Sequence, residues 1–207
     1  METVIGYLRA HRGARRGISV LSVAMVLTAV GLLAYPLFTN LYQDRLQGRL
    51  ARQLASGELA DRYKADNLQV GDALTKISME KLGVETTVVE GTTDSALRAG
   101  AGHYPQTPLP CEDGNVSIAG HRTTYGKPFA DIDRLQAGDR ITLQTPVGSC
   151  TYQVAGAPLI THPQDWGVVA NTPGQKTLTL TTCHPKGSAR QRLVVKATLV
   201  EGPLTKA

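Results

Sequence analysis

The sequence predicts a mainly β protein: a closed β barrel with short helices, preceded by one N-terminal transmembrane helix. Residues 17–43 contain no charged side chain, which is typical of a segment that crosses a membrane. From residue 68 onward, short runs rich in Val, Ile, Leu and Thr are separated by turn residues, which indicates β-strands. The 21 Gly and 11 Pro also suit a turn-rich β domain better than a helix bundle.

The charge-free run begins at Gly17 and ends before Asp44. A helix needs about 20 residues to cross the hydrocarbon core, so the run is long enough for one span. We assign the transmembrane helix to residues 17–42. A cleaved signal peptide is the competing interpretation, but no A-x-A-like cleavage site follows Phe38. We therefore expect an uncleaved membrane anchor.

Positive charge just before this run predicts its orientation. The first sixteen residues hold four arginines against Glu2, a net +3 of the chain's total of +5. Positively charged flanks stay on the cytoplasmic side, so residues 1–16 are expected inside and everything after the span outside the membrane. The rest of the chain is close to neutral and offers no basic face, so we expect no nucleic-acid partner.

Residues 43–67 connect the anchor to the outer domain. Leu46, Leu50 and Leu54 recur at intervals of four, with Arg and Gln between them. This spacing indicates an amphipathic helix or a stalk. Of the two uses of such a segment, packing or spacing, we favour a solvated spacer.

Residues 68–207 form the predicted outer domain. Turn residues at 146–148 fall between two candidate strands, and two short helices are predicted at 94–99 and 129–135. Strands at this spacing are typical of a closed or nearly closed barrel. The predicted strands are residues 73–77, 86–90, 116–119, 140–145, 151–158, 177–182 and 193–200.

The chain has three cysteines, and an odd number leaves at least one thiol unpaired. The extracytoplasmic compartment allows a disulfide. Cys111 and Cys150 both lie in loop-like sequence, and we favour a bond between them; the alternative is that all three thiols are free. Cys183 ends a run of alternating Thr and Leu, which reads as a strand.

A thiol that attacks an amide needs a proton-transfer partner and a group that stabilises the oxyanion. Histidine suits the first task and arginine the second. His121 follows a predicted strand that ends in Gly120, and Arg190 and Arg192 follow Cys183 at a distance that suits a hairpin. If Arg192 lies on the next strand, it reaches back beside the thiol. From the residues alone, a buried inert cysteine and solvated arginines remain alternatives.

The other histidines are weaker candidates. His184 follows Cys183 directly and points to the opposite face of a strand. His103 and His162 each precede a Pro-containing loop, a position that suits ordinary surface residues.

These residues carry a resemblance to the sortase family. Residues 179–183 read TLTTC and resemble the T-L-x-T-C signature of sortases, while AGHR at 119–122 and QRLVV at 191–195 resemble the segments with the catalytic histidine and arginine. The order of the three motifs also agrees. GHYP at 102–105 and VVEG at 88–91 resemble actinobacterial members, and HRTTYG at 121–126, with Tyr125, is similar to class E. The likeness extends over residues 71–200.

The resemblance implies a sortase-type β barrel and a cysteine transpeptidase. Cys183 is then expected to attack the Thr–Gly bond of a Leu-Pro-Xaa-Thr-Gly or Leu-Ala-Xaa-Thr-Gly sorting signal, giving a thioacyl-enzyme. His121 protonates the leaving amine, and Arg192 donates hydrogen bonds to the substrate carbonyl or oxyanion. Tyr125 and Thr182 are expected to contact the substrate.

The expected partners are secreted proteins that bear a sorting signal, and an amine of a peptidoglycan precursor or of a pilin. We expect no cofactor and no metal, because the Cys and His residues lack C-x-x-C or H-x-x-x-H spacing. Two rival hypotheses remain: a membrane-anchored module that binds the cell wall without catalysis, and an L,D-transpeptidase. The second needs a Ser-x-Gly-Cys-like segment, which the sequence lacks.

Overall fold

The computed structural model describes residues 11–202, which fall into two units that divide after Thr39. Helix α1 is Arg12–Leu54, and within residues 11–202 it is long and apolar enough to cross a membrane. Its apolar side chains from Ile18 to Phe38 are exposed, as a lipid-facing helix requires. The predicted span at 17–42 falls inside α1, and residues 1–10 of the predicted tail lie outside the described part of the chain.

The second unit is a β barrel with short helices. Eight strands follow one another around the barrel in the order β6-β5-β1-β2-β3-β4-β8-β9, and pairing of β6 with β9 closes it. Strand β7 pairs with a different stretch of β9, outside the closed ring. The closed barrel confirms the predicted fold class. The strands are β1 Ala73–Met79, β2 Val84–Glu90, β3 Ala101–His103, β4 Gly114–Ala119, β5 Arg140–Thr145, β6 Gly148–Val154, β7 Leu159–Thr161, β8 Lys176–His184 and β9 Gln191–Glu201.

Helices are short outside α1. They are α2 Gly57–Lys64, α3 Asp94–Ala99 and the 3₁₀ helices Glu80–Leu82, Ile132–Arg134 and Trp166–Val169. The predicted helix at 94–99 has the bounds of α3, where Thr93 caps the first turn by accepting a hydrogen bond from the Ala96 amide. The predicted helix at 129–135 is wrong except for the 3₁₀ turn, because Phe129 turns into the barrel core.

The sequence analysis did not predict two of the strands. Strands β3 and β7 are three residues long each, too short for an alternating pattern to appear. The predicted strand at 151–158 ends at Val154, and the Gly-containing residues 155–158 form a loop. The barrel interior is filled by large side chains that are fully buried, among them Phe129, Tyr152, Ile141 and Leu143.

The segment after the predicted membrane span packs on the barrel, which corrects the solvated spacer that we favoured. Leu50 and Leu59 are buried in a second apolar cluster with Val89. Tyr63 is buried as well, and its hydroxyl donates a hydrogen bond to the carbonyl oxygen of Pro110 at 3.2 Å. The leucine spacing therefore indicates an amphipathic helix that packs on the barrel. Burial of its apolar side stabilises the folded state.

A disulfide joins Cys111 to Cys150 across 39 residues, with an S–S distance of 2.08 Å. Cys150 lies on β6, and Cys111 lies in the loop that precedes β4. The Cys111 amide also donates to the Tyr152 hydroxyl at 3.1 Å. The bond thus fixes the β3–β4 loop against the far wall of the barrel.

Removing this bond is expected to destabilise the outer unit. The double variant Cys111→Ala/Cys150→Ala should lower the free energy of unfolding by about 2–4 kcal/mol. Without the bond, the unfolded chain is no longer closed into a loop and has more conformational entropy. Urea unfolding of the full chain in detergent micelles, followed by circular dichroism, measures the difference. Cys183→Ala is the control, since it removes a thiol without removing a bridge; an unchanged free energy in the double variant would contradict the expectation.

Candidate active site

Cys183 and Arg192 face each other on adjacent antiparallel strands. They are directly paired in the register of β8 with β9. The Arg192 Nη1 lies 3.6 Å from the Cys183 Sγ, and the thiol is partly exposed. Arg192 Nη1 also donates to the carbonyl oxygens of Ala189 and Gln191, both at 3.3 Å, which holds the guanidinium in place. The pairing therefore places a fixed guanidinium directly beside the sulfur.

His121 reaches the same cleft from the end of β4. Strand β4 runs parallel to β8, with Ala119 opposite Thr181, so the two strands end at the same edge of the barrel. His121, Cys183 and Arg192 all line one cleft of about 230 Å³. Gly120 permits the tight approach just before His121, because a Cβ atom there would lie 2.6 Å from the Phe129 ring.

The surroundings of His121 favour its neutral form. Burial lowers the pKa of the His121 imidazole below its ordinary value, and the nearby Arg98 guanidinium acts in the same direction. The Asp94 carboxylate opposes both and raises the pKa. An imidazolium with a lowered pKa is a stronger acid, which suits proton donation to a leaving amine.

Tyr125 and Thr182, the expected substrate contacts, both lie close to His121. The Tyr125 ring centroid is 5.3 Å from that of His121, and the Arg98 guanidinium carbon lies 5.6 Å from the Tyr125 centroid. Thr182 lines the cleft, but its buried hydroxyl donates to the Gly120 carbonyl oxygen at 2.7 Å. The Thr182 hydroxyl therefore holds the residue before His121 in place.

Arg122 is a site residue that the sequence analysis missed. Only 4% of it is exposed, and it pairs with the Asp133 carboxylate at 3.0 Å. Its Nη1 donates to the Cys183 carbonyl oxygen at 3.3 Å and lies 2.8 Å from the His184 Nδ1. Arg122 thereby fixes the backbone at the end of β8. Arg122 belongs to the AGHR and HRTTYG segments that carried part of the resemblance, so a signal existed for it, but its charge alone did not separate it from a surface arginine.

Two aromatic residues of the cleft were also not assigned to the site. The Tyr104 hydroxyl is 3.1 Å from the Thr181 hydroxyl, and Trp166 lies at the cleft with 66% of its surface exposed. Tyr104 belongs to the GHYP segment that carried part of the resemblance, so a signal existed for it. Trp166, the one tryptophan of the chain, offered no spacing that linked it to Cys183.

His103 is buried, which corrects the surface position that we expected. Its Nδ1 lies 2.8 Å from Glu90 Oε2, and its Nε2 lies 3.0 Å from the Pro108 carbonyl oxygen. A buried carboxylate thus compensates the cost of burying the imidazole. His162 is exposed, as expected. Between residues 11 and 202, no three His, Cys, Asp or Glu side chains are grouped to hold a metal ion.

A family model described as "Sortase domain" matches residues 77–200, more than half of the chain. This range contains Cys183, His121 and Arg192.

Curated relatives and solved structures agree with this match. Sortase SrtE1 of Streptomyces coelicolor is 28% identical over 79% of this chain, and the chain spans only about half, 51%, of that relative's length. Sortase SrtE2 of the same organism is 30% identical over 94% of this chain and 87% of the relative. The structure of Clostridium perfringens sortase D5 has a TM-score of 0.66 at 32% identity, covering 76% of this chain and 98% of that one. Sortase E of Streptomyces avermitilis has a TM-score of 0.58 at 35% identity, covering 64% and 91%.

The charges around His121 predict how its titration responds to substitution. Asp94→Asn should lower the pKa of His121 further, because it removes the carboxylate that favours imidazolium. Arg98→Gln should raise that pKa, because it removes the opposing positive charge. Ring-proton NMR of the ¹³C-histidine-labelled chain in micelles measures both midpoints. Arg190→Gln serves as the control with no effect; shifts of the opposite sign would contradict the assignment of the two charges.

Proposed function

Because the chain belongs to the sortase family, we propose that it is a membrane-anchored cysteine transpeptidase with Cys183 as its nucleophile. The substrate is a secreted protein with a Leu-Ala-Xaa-Thr-Gly or Leu-Pro-Xaa-Thr-Gly sorting signal. The thiolate attacks the Thr carbonyl, the Thr–Gly bond breaks, and a thioacyl-enzyme forms as the Gly amine leaves. An amine of a peptidoglycan precursor or of a pilin then attacks the thioester, which releases the thiol.

The observation that carries the proposal is the 3.6 Å approach of Arg192 Nη1 to Cys183 Sγ in a cleft that His121 also lines. A guanidinium donates several hydrogen bonds from one plane. From its place beside the sulfur, this fork is within reach of the oxyanion that forms when the sulfur attacks the substrate carbonyl.

His121 supplies the proton transfers in this scheme. The imidazolium gives its proton to the Gly amine as that amine leaves, and the neutral ring later takes a proton from the incoming amine. Burial lowers the pKa of His121 and so makes the imidazolium a better proton donor. The same shift favours the neutral ring, which is the form that accepts a proton from the incoming amine.

The membrane anchor is consistent with this chemistry. We propose that residues 1–16 are cytoplasmic, that residues 17–42 span the membrane, and that residues 68–207 act on its outer side. Substrate and acceptor both reach the enzyme at the membrane surface in this arrangement. Tethering the enzyme to the same surface raises its effective concentration toward both.

Intact-mass spectrometry tests the proposal. The full chain in detergent micelles is mixed with a Leu-Ala-Xaa-Thr-Gly peptide or its Leu-Pro analogue, and the expected product is an acyl adduct on Cys183 with release of the Gly fragment. Cys183→Ala should give no adduct. A folded chain with a free Cys183 thiol that acylates with neither peptide would contradict the proposal and favour a wall-binding module.

Substitution of Arg192, with Arg190 as the matched control, tests the role of the Arg192 guanidinium. Arg192→Ala should lower the rate of acylation by about 100- to 1000-fold, as loss of an oxyanion donor does. Arg190→Ala should leave that rate near the wild-type value, because Arg190 is exposed and contacts Ser188. Equal losses in the two variants would show that positive charge near the cleft, and not the contact of Arg192, matters.

A further inference from the structure

The C-terminal part of α1, residues 40–54, contacts a loop that flanks His121. The Gly126 amide donates to the Asn40 Oδ1 at 3.0 Å. Gln43 packs directly against Gly126, where an added Cβ atom would lie 1.8 Å from the Gln43 Oε1. These contacts lie within the second unit and fix the loop immediately after Tyr125.

The loop needs such support because its backbone is unfavourable. Tyr125, Gly126 and Lys127 have φ angles of 49°, 67° and 43°, three consecutive residues in the left-handed region. Non-glycine residues in this region are strained and persist only where surrounding contacts hold them. The Asn40 hydrogen bond to the central residue is one such contact.

Gln47, two turns along the same helix, holds the second element that flanks His121. Its Nε2 donates to the Ala99 carbonyl oxygen at 2.7 Å and to the Thr87 carbonyl oxygen at 3.0 Å. Its Oε1 accepts from the Thr87 amide at 2.7 Å. Ala99 ends α3, the helix that carries Arg98. Gln47 therefore ties the end of α3 to β2.

The two elements meet beside the active site. Arg98 lies over the ring of Tyr125, and Tyr125 packs against the ring of His121. Asn40 holds the residue next to Tyr125, and Gln47 holds the residue next to Arg98. One face of α1 thus sets the positions of both partners in the stack that contacts the imidazole.

We propose that Asn40 and Gln47 are positioning residues for catalysis, acting on His121 through Tyr125 and Arg98. The inference rests on the proposed function for the role of His121. It makes the stretch of α1 from Asn40 to Gln47, which begins at the outer end of the proposed membrane span, part of the catalytic apparatus. A proton donor displaced by about 1 Å loses on the order of 100-fold in rate, so small losses of support are measurable.

Substitution in the full chain in detergent micelles tests the proposal. Asn40→Ala and Gln47→Ala should each lower kcat for peptide transfer about 10-fold, an intermediate loss for a loop that shifts without leaving its site. The midpoint of thermal unfolding is measured for each variant. Gln53→Ala is the matched control, because Gln53 lies on the same helix but contacts Asp72 and Ala73 at the start of β1. Its kcat should stay at the wild-type value.

Two further variants separate positioning from simple loss of packing. Asn40→Asp keeps an acceptor for the Gly126 amide and should retain kcat where Asn40→Ala does not. Gly126→Ala should lower kcat by collision with Gln43, and adding Gln43→Ala should restore part of the loss by opening the space. Failure of both restorations would overturn the proposal.

The His121 ring resonance gives a readout that does not depend on catalysis. It should shift in Asn40→Ala and Gln47→Ala but not in Gln53→Ala. Wild-type kcat and an unshifted resonance in the first two variants would overturn this inference and leave the proposed function intact. Equal losses of kcat in all three variants would show a structural role only. A wild-type chain that forms no acyl-enzyme would instead refute the proposed function.

Discussion

The parallel pairing of β4 with β8 is the constraint on which the site depends. Six consecutive residue pairs, from Gly114 with Lys176 to Ala119 with Thr181, fix the two strands in register. Parallel strands end at the same edge of a sheet, so the residues that follow them converge although more than sixty positions separate them in the chain. A shift of one residue would turn every side chain of β8 to the opposite face and remove Cys183 from the cleft.

The central position of β8 explains its composition. It lies between β4 and β9, and its residues 178–182 are buried on both faces of the sheet. The buried threonines need hydrogen-bond partners: Thr179 donates to Asn115 Oδ1 at 2.7 Å and accepts from Lys196 Nζ at 2.8 Å. Burial lowers the pKa of Lys196. Its ammonium group donates hydrogen bonds to the Thr179 hydroxyl and to the Val168 carbonyl oxygen. A Thr-rich strand can therefore be buried, because the threonine hydroxyls of β8 have hydrogen-bond partners.

The site combines residues on paired strands with a residue on a loop that other segments of the chain hold in place. Cys183 and Arg192 sit on paired strands, whose ladder fixes their separation. His121 lies on a loop, and its position depends on several separate contacts: Thr182 on Gly120, the Phe129 ring against Gly120, and the stack with Tyr125. This division places the proposed nucleophile and oxyanion donor on hydrogen-bonded strands, while the proposed proton-transfer residue depends on packing by distant segments.

Local patterns in the sequence determined much of this protein. The charge-free run, the seven longer strands and helix α3 were predicted from hydropathy, alternation and turn residues, which act over a few neighbouring residues. The motifs around Cys183, His121 and Arg192 identified the family, and the structure lines one cleft with all three. The pair Cys111–Cys150 was favoured from composition and compartment, and the bond is present in the fold.

Only the tertiary structure decided the remaining features. Burial of His103 on Glu90, the role of Arg122 at the end of β8, and the packing of residues 40–63 on the barrel all depend on contacts between distant positions. Gln47 and Thr87, for example, are separated by 40 residues, and nothing in either local sequence announces the other. Sequence patterns indicate which face of a helix or strand is buried, but they do not indicate which other element packs on that face. That pairing is determined by contacts between distant segments when the barrel closes.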